Sequence, residues 1–194
     1  MTKQSITICR ILKVNHAGEY GAIRIYMAQI MIAKMFFRDL LPFLEETIEH
    51  EKEHCRMFRE AMPPRNARPC RTMFLWSWGG FLLGLSSTLL GRNGIMICTE
   101  AVEDTVHKHL EEQILFLREH DPEACALIED IKEQELEHLS HARANINKRG
   151  ALGNMFQKIS VAMVEVVIWL STWGDSASLK TEMMKERNTE RQTA

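Results

Sequence analysis

Two Glu-x-x-His motifs in equivalent positions constrain the fold of this chain more than any other feature. The first motif, EKEH, covers residues 51–54, and the second motif, ELEH, covers residues 135–138. A lone glutamate precedes each motif by 32 residues, Glu19 in the first copy and Glu103 in the second. The sequence therefore contains two copies of one unit, in which a segment with one glutamate is followed by a segment with Glu-x-x-His.

Helical periodicity places all six of these side chains on apolar faces. Apolar residues recur at steps of three and four around each of them, which predicts four amphipathic helices. Other acids, such as Glu49 and Glu53, lie about 200° away from Glu51 and face solvent. The six candidate metal ligands are Glu19, Glu51, His54, Glu103, Glu135 and His138.

Four buried carboxylates require a source of positive charge, because an unpaired buried charge costs several kcal/mol. No Lys or Arg shares their helical rows, whereas two divalent cations would balance four negative charges. The i, i+3 spacing lets one helix supply a bridging carboxylate and a terminal imidazole. Carboxylates with one imidazole per metal favour iron or manganese. This ligand set is typical of a dimetal centre in a ferritin-like bundle, and Glu100 and Asp104 are less well phased than Glu103.

Two further segments are apolar around much of their circumference. Residues 73–90 contain no charged side chain, and a second apolar helix is predicted over residues 155–173. Three interpretations of residues 73–90 stay open: a helix lying in the membrane interface, a wholly buried core helix, or a true membrane span. The predicted fold is all-α, a ferritin-like four-helix bundle with two additional apolar, membrane-facing helices.

The domain organisation is simple. We expect a single ferritin-like di-iron domain over residues 1–174, with residues 1–10 loosely held and helical periodicity starting near Ile11. The helix with the second motif should end at the basic Arg149 and the glycine that follows it. Residues 175–194 are polar and should form a mobile tail. Gly18 and Gly21 flank Glu19 inside a helix, which suggests close approach of a neighbouring helix or ligand, or a plain packing contact.

Composition excludes one class of partner and indicates a compartment. A net charge of −2 and the absence of a basic stripe argue against nucleic acid. The five cysteines are scattered, without a C-x-x-C pair, which predicts free thiols in a reducing compartment. The N-terminal residues contain no secretory signal, which predicts a bacterial cytoplasmic protein or a mature form without its presequence.

Two stretches resemble a known family. VNHAGEYGA at residues 14–22 and CTEAVEDTVHKH at residues 98–109, together with both Glu-x-x-His motifs, are similar to demethoxyubiquinone hydroxylases of ubiquinone biosynthesis. Members of that family are ferritin-like di-iron proteins that hydroxylate the ring of a demethoxy polyprenyl quinol with O₂. The resemblance implies two iron ions (Fe²⁺/Fe³⁺) held by the same six residues.

The resemblance also implies a location and partners. It indicates a peripheral protein on the cytoplasmic face of a bacterial inner membrane, or on the matrix side of the mitochondrial inner membrane. The partners would be membrane lipid, the quinol, O₂, an unidentified electron donor and other ubiquinone-biosynthesis proteins. Asn15 and Leu110 depart from the mitochondrial members, which tend to have Asp and Tyr there.

Three alternatives remain at this stage. His109 could hydrogen-bond near the quinol, or it could be an outer or surface histidine. The di-iron centre could instead serve ferritin-like iron storage or a rubrerythrin-type peroxidase. The chain could also be a non-enzymatic, membrane-associated helical scaffold with inert carboxylates.

Overall fold

The computed structural model describes residues 2–172, and this part of the chain is entirely helical. Its six α-helices confirm the predicted all-α class, and no strand occurs within the described range. The helices are α1 (Lys3–Phe36), α2 (Leu41–Ala61), α3 (Met73–Thr88), α4 (Gly91–His120), α5 (Pro122–Ala144) and α6 (Ala151–Thr172). The polar tail expected over residues 175–194 lies outside the described residues.

The first helix begins much earlier than its periodicity suggested. The side chain of Thr2 accepts a hydrogen bond from the backbone N–H of Ser5 at 3.1 Å, which caps α1 at its first turn. Ile8 and Ile11 then lie in the core. The expectation that residues 1–10 are loosely held is therefore wrong for residues 2–10, because the cap and buried side chains such as Ile8 fix them.

The predicted end of α5 is also wrong. The helix stops at Ala144, and Gly150 precedes α6 instead of capping α5. Asn93 explains the difference, because its side-chain oxygen accepts from the backbone N–H of Asn147 at 3.1 Å and its amide donates to the carbonyl of Lys148 at 2.6 Å. These bonds hold residues 147–148 in an extended connection. The opposite boundary is as predicted, since Asp121 caps α5 through the N–H of Ala124 at 3.0 Å.

Two helical hairpins enclose the centre of the molecule. The helices α1 and α2 pack along each other, as do α4 and α5, and the two pairs meet through α1 with α4 and α2 with α5. An apolar cluster fills each end of the space between them. The lower cluster includes Leu12, Phe58 and Leu110, and the upper cluster includes Tyr26 and Leu44. The six candidate ligands lie between these two clusters.

The helix α3 packs closely and in parallel along α1. A Cβ atom on Gly80 would lie 2.3 Å from the carbonyl oxygen of Gly21, and one on Gly84 would lie 2.3 Å from that of Ile25. The ring of Trp76 in turn covers Gly21 at 3.1 Å from its ideal Cβ position. Close approach of a neighbouring helix is therefore the reason for a glycine at position 21.

The opposite faces of α3 and α6 are apolar and exposed. On α3, Phe74 and Trp78 are 60% and 67% exposed, so α3 is not a wholly buried core helix. With 16 residues α3 is about 24 Å long, shorter than a bilayer core of about 30 Å. By length and composition, α6 is the one described helix that could cross a membrane. Only 11% of its most apolar 18-residue stretch is buried.

Candidate metal centre

The structure brings all six candidate ligands together in the middle of the molecule. Their donor atoms form two groups, and within each group all donor atoms lie within 4.8 Å of one another. The first metal position consists of Glu19, Glu51, His54 and Glu135; the second metal position consists of Glu51, Glu103, Glu135 and His138. All six residues are buried. Each position therefore has three carboxylates and one imidazole, as the sequence repeat predicted.

Glu51 and Glu135 belong to both metal positions. His54 Nδ1 lies 2.9 Å from one oxygen of Glu135, and His138 Nδ1 lies 3.4 Å from the other oxygen. His138 Nδ1 also lies 3.6 Å from Glu51 Oε1. Each shared carboxylate comes from the Glu of a Glu-x-x-His motif, so one helix could supply both a bridging carboxylate and a terminal imidazole.

The donor atoms are buried and lack hydrogen-bond partners, which is the signature of a site for cations. Glu51 Oε1, both carboxylate oxygens of Glu135, and Nδ1 of His54 and of His138 are inaccessible to solvent and form no hydrogen bond of regular geometry. Their close contacts are with one another, as between His54 Nδ1 and Glu135 at 2.9 Å. Buried polar atoms are almost always satisfied in native proteins. The unpaired atoms converge on the two metal positions, so the donor set fits two divalent cations.

The electrostatics of the cluster show what replaces cations in their absence. Burial and the neighbouring Glu135 raise the pKa of Glu19 to about 7. Burial and nearby carboxylates raise the pKa of Glu51 and of Glu103 well above the usual range. Protons therefore neutralise these acids when metal is absent, and binding of metal must release them.

The remaining ionised group is Glu135. Burial by itself would raise the pKa of Glu135, but His138 and His54 beside it hold that pKa well below its usual range. Burial likewise opposes the charged form of His54, but Glu135 and Glu19 raise its pKa to about 9. In the metal-free state this carboxylate and imidazole thus form an internal ion pair.

Three side chains outside the ligand set orient it, and the sequence analysis did not identify them as functional. His50 Nδ1 lies 3.0 Å from His138 Nε2, and Gln134 Oε1 lies 3.2 Å from His54 Nε2. Each of these partners immediately precedes a shared glutamate in the chain, so the repeat itself was the signal that could have found them. The third, a tyrosine in α1, donates a hydrogen bond of 2.6 Å to Glu103 Oε1.

Two acids near Glu103 have cationic partners and stay out of the centre. Glu100 forms an ion pair with Arg149 and lies 3.5 Å from Arg143. Asp104 contacts Arg143 at 2.6 Å and Lys108 at 2.5 Å. Both this pairing and their helical phase make these two acids less suitable as metal ligands than Glu103.

A mainly apolar cavity connects the centre with the exposed faces of α3 and α6. Glu19, Glu51 and Glu103 lie in its wall, and α3 and α6 contribute apolar side chains such as Leu75 and Met163. The cavity volume is about 110 Å³, enough for a small ring or several water molecules. Because Leu75 and Met163 are about 40% exposed, the cavity extends to the surface between α3 and α6.

Polar groups lie along the same cavity. Asn15 and Gln113 exchange two amide hydrogen bonds of 2.7 and 3.2 Å. His109 also contributes to the wall, and its Nε2 lies 3.2 Å from Glu165 on α6. His109 is therefore in contact with the cavity and is not a ligand of either metal position.

Comparison with known proteins places the chain in a family. The profile of "Ubiquinone biosynthesis protein COQ7" matches residues 7–171. The chain belongs to the COQ7 family. This match covers all six residues of the two metal positions and both apolar helices, and it confirms the resemblance inferred from residues 14–22 and 98–109.

Curated relatives of the COQ7 family are named as hydroxylases. The human "NADPH-dependent 3-demethoxyubiquinone 3-hydroxylase, mitochondrial" is 41% identical over 133 residues, which is 66% of this chain and 60% of the human protein. The Dictyostelium discoideum protein of the same name is 31% identical, covering 84% of this chain and 76% of that protein. The "3-demethoxyubiquinol 3-hydroxylase" of Rhodospirillum rubrum is 30% identical, covering 84% of this chain and 77% of that protein. The chain thus spans 60% of the length of the mammalian relatives.

Proposed function

We propose that this chain is a di-iron monooxygenase that hydroxylates the ring of a demethoxy polyprenyl quinol with O₂ in ubiquinone biosynthesis. The observation that supports this most directly is the pair of buried metal positions that share Glu51 and Glu135. Membership of the COQ7 family and the names of the relatives support the substrate class. The proposed architecture is a single ferritin-like domain over residues 1–174, in which α1, α2, α4 and α5 form the four-helix bundle.

Glu19, Glu51, His54, Glu103, Glu135 and His138 would hold the two ions. Their oxygen-rich donor sets favour iron over zinc or copper. Bound iron would supply the activation of O₂, from which one oxygen atom enters the ring and the other leaves as water. That balance requires two electrons and two protons, so the enzyme needs an electron donor in addition to quinol and O₂.

The protein's own contribution is to position the ring and exclude bulk water. The cavity brings a ring-sized group against the side of the centre formed by Glu19, Glu51 and Glu103. Its apolar wall favours the ring and the first part of the prenyl chain. The amides of Asn15 and Gln113 and the imidazole of His109 are polar groups in that wall that could orient ring oxygens.

The membrane would deliver the substrate. A polyprenyl quinol resides in the bilayer, and the cavity extends to the surface between the apolar faces of α3 and α6. We propose that these two faces bind the membrane peripherally, on the cytoplasmic side of a bacterial inner membrane or the matrix side of the mitochondrial one. The substrate would then enter sideways from the lipid, and other ubiquinone-biosynthesis proteins would bind the remaining surface.

Complementation of a strain that accumulates demethoxyubiquinone tests this function. The wild-type chain and the variant Glu133→Ala should restore ubiquinone, because Glu133 is exposed on α5. The variant Glu135→Ala, two residues away, should not restore it. Accumulation of demethoxyubiquinone with an expressed wild-type chain would contradict the hydroxylase, and equal rescue by Glu135→Ala would contradict the metal mechanism.

A further inference from the structure

Tyr26 is the one tyrosine placed to hold a carboxylate of the centre. The chain contains two tyrosines, and the hydroxyl of Tyr20 accepts a hydrogen bond from Arg24 at 2.9 Å. The hydroxyl of Tyr26 instead donates to Glu103 Oε1 at 2.6 Å. Tyr26 and Glu103 are 1% and 2% exposed, so bulk water does not compete for either group. The bond is therefore short, buried and directed at a single oxygen of one ligand.

The internal repeat places a different side chain at the equivalent position. Tyr26 follows Glu19 by seven residues, and Leu110 follows Glu103 by the same number. Leu110 is 1% exposed, belongs to the lower apolar cluster and has no polar side-chain atom. Glu103 thus accepts a hydrogen bond from a hydroxyl of the upper cluster, and the equivalent side chain of the lower cluster cannot donate one to Glu19.

The surroundings of Glu19 agree with this asymmetry. His54, another member of the ligand set, has its Nδ1 3.9 Å from Glu19 Oε2. Neither tyrosine of the chain hydrogen-bonds Glu19. The acid that does so in the metal-free state, Glu51, is itself a member of the ligand set and loses its proton when metal binds. Glu19 and Glu103 both lie in the cavity wall, so the tyrosine bond to Glu103, and not access to the cavity, is what distinguishes the two glutamates.

We propose that Tyr26 is a positioning residue that makes the two metal positions unequal. It fixes Glu103 in one orientation at the second metal position, while Glu19 at the first metal position can change how it binds. Turning Glu103 would leave a buried hydroxyl unpaired, which is unfavourable. Turning Glu19 breaks no such bond, so the first metal position is the one whose coordination opens towards the cavity. This inference rests on the proposed dimetal function.

Anaerobic calorimetric titration with Fe²⁺ alone tests the proposal on the full-length protein in detergent. The variants are Tyr26→Phe, which removes only the hydroxyl, and Leu110→Met, a volume-conserving change at the equivalent position. Wild type and Leu110→Met should bind two ions with the same pair of affinities. Tyr26→Phe should bind two ions, one of them about tenfold more weakly and the other within about twofold of wild type.

Two outcomes would overturn the inference while leaving the proposed function intact. In one, Tyr26→Phe binds both ions as wild type does. In the other, Tyr26→Phe weakens both ions equally, which would indicate general loosening of the bundle. A wild-type chain that binds no Fe²⁺ would instead refute the dimetal function, and this inference with it.

Discussion

Removal of metal should leave a protein that loses stability as pH rises from 5 to 8. The reason is that protons replace cations in the centre. The pKa of Glu19 is about 7 in the folded chain against an ordinary value of 4.5, so between these values the folded state binds more protons than the unfolded state. Stability falls with rising pH wherever this holds. The raised pKa values of Glu51, Glu103 and His54 act in the same direction.

The magnitude follows from the same shift. Raising the pKa of Glu19 from 4.5 to about 7 corresponds to about 3 kcal/mol, which is present below pH 4.5 and lost as pH rises through 7. For a domain of this size, a loss of about 3 kcal/mol lowers Tm by roughly 6–12 °C. Glu135 has the opposite sign, but its contribution is lost only below its ordinary pKa of 4.5. Burial lowers the pKa of His16 and of His141, and these two groups offset part of the fall as pH rises through the ordinary histidine value of 6.5.

Thermal unfolding followed by helical circular dichroism measures this effect. Chelator-treated protein should melt about 6 °C lower at pH 8 than at pH 5. Protein saturated with Mn²⁺ should show a smaller fall or a rise, because ligation requires deprotonated carboxylates. Glu19→Gln should flatten the metal-free profile, while Glu133→Gln, an exposed neighbour, should not. A metal-free Tm that is constant or rises over this range would refute the proton-for-metal reasoning.

Two further predictions concern α3. Gly84→Ala should lower the stability by about 2 kcal/mol in chemical unfolding, because the new Cβ would lie 2.3 Å from the carbonyl oxygen of Ile25. Gly79→Ala, with no atom within 4 Å, should instead add about 0.5–1 kcal/mol through helix propensity, and equal effects would contradict the packing of α3 on α1. Trp78→Ser should weaken flotation with liposomes about tenfold, which is about 1.4 kcal/mol. Leu136→Ser, on the exposed side of α5, should leave flotation unchanged, and an unchanged Trp78→Ser variant would contradict membrane binding by α3.

The six side chains that the structure brings together were predictable because two independent patterns agree on them. The 32-residue spacing selects Glu19 with Glu51 and Glu103 with Glu135, and helical phase then selects buried over exposed acids. Charge balance added the physical reason. The Glu and the His of one motif belong to the same metal position. This was also predictable, since a Glu-x-x-His helix must present both residues on one face.

Other features depend on contacts between segments that are distant in sequence. Tyr26 was recognisable as a residue on the apolar face of α1. Its hydrogen bond to Glu103 could not be predicted, because the two residues are 77 positions apart in the chain. The early end of α5 depends on Asn93, about 50 residues upstream. The start of α1 was missed for a different reason, because a single threonine cap outweighs weak periodicity. A hydrophobic channel beside the two apolar helices could be expected from the sequence, but the residues that line the cavity could not, because they depend on how α3 and α6 lie across α1 and α4.

Iron analysis of three purified proteins tests the central claim most directly. The wild-type chain, reconstituted with Fe²⁺ without oxygen, should retain two iron atoms. Glu135→Ala should retain none, because Glu135 belongs to both metal positions, and Glu19→Ala should retain one. A wild-type chain without iron, or a Glu135→Ala variant that retains two atoms, would contradict a centre built on shared carboxylates.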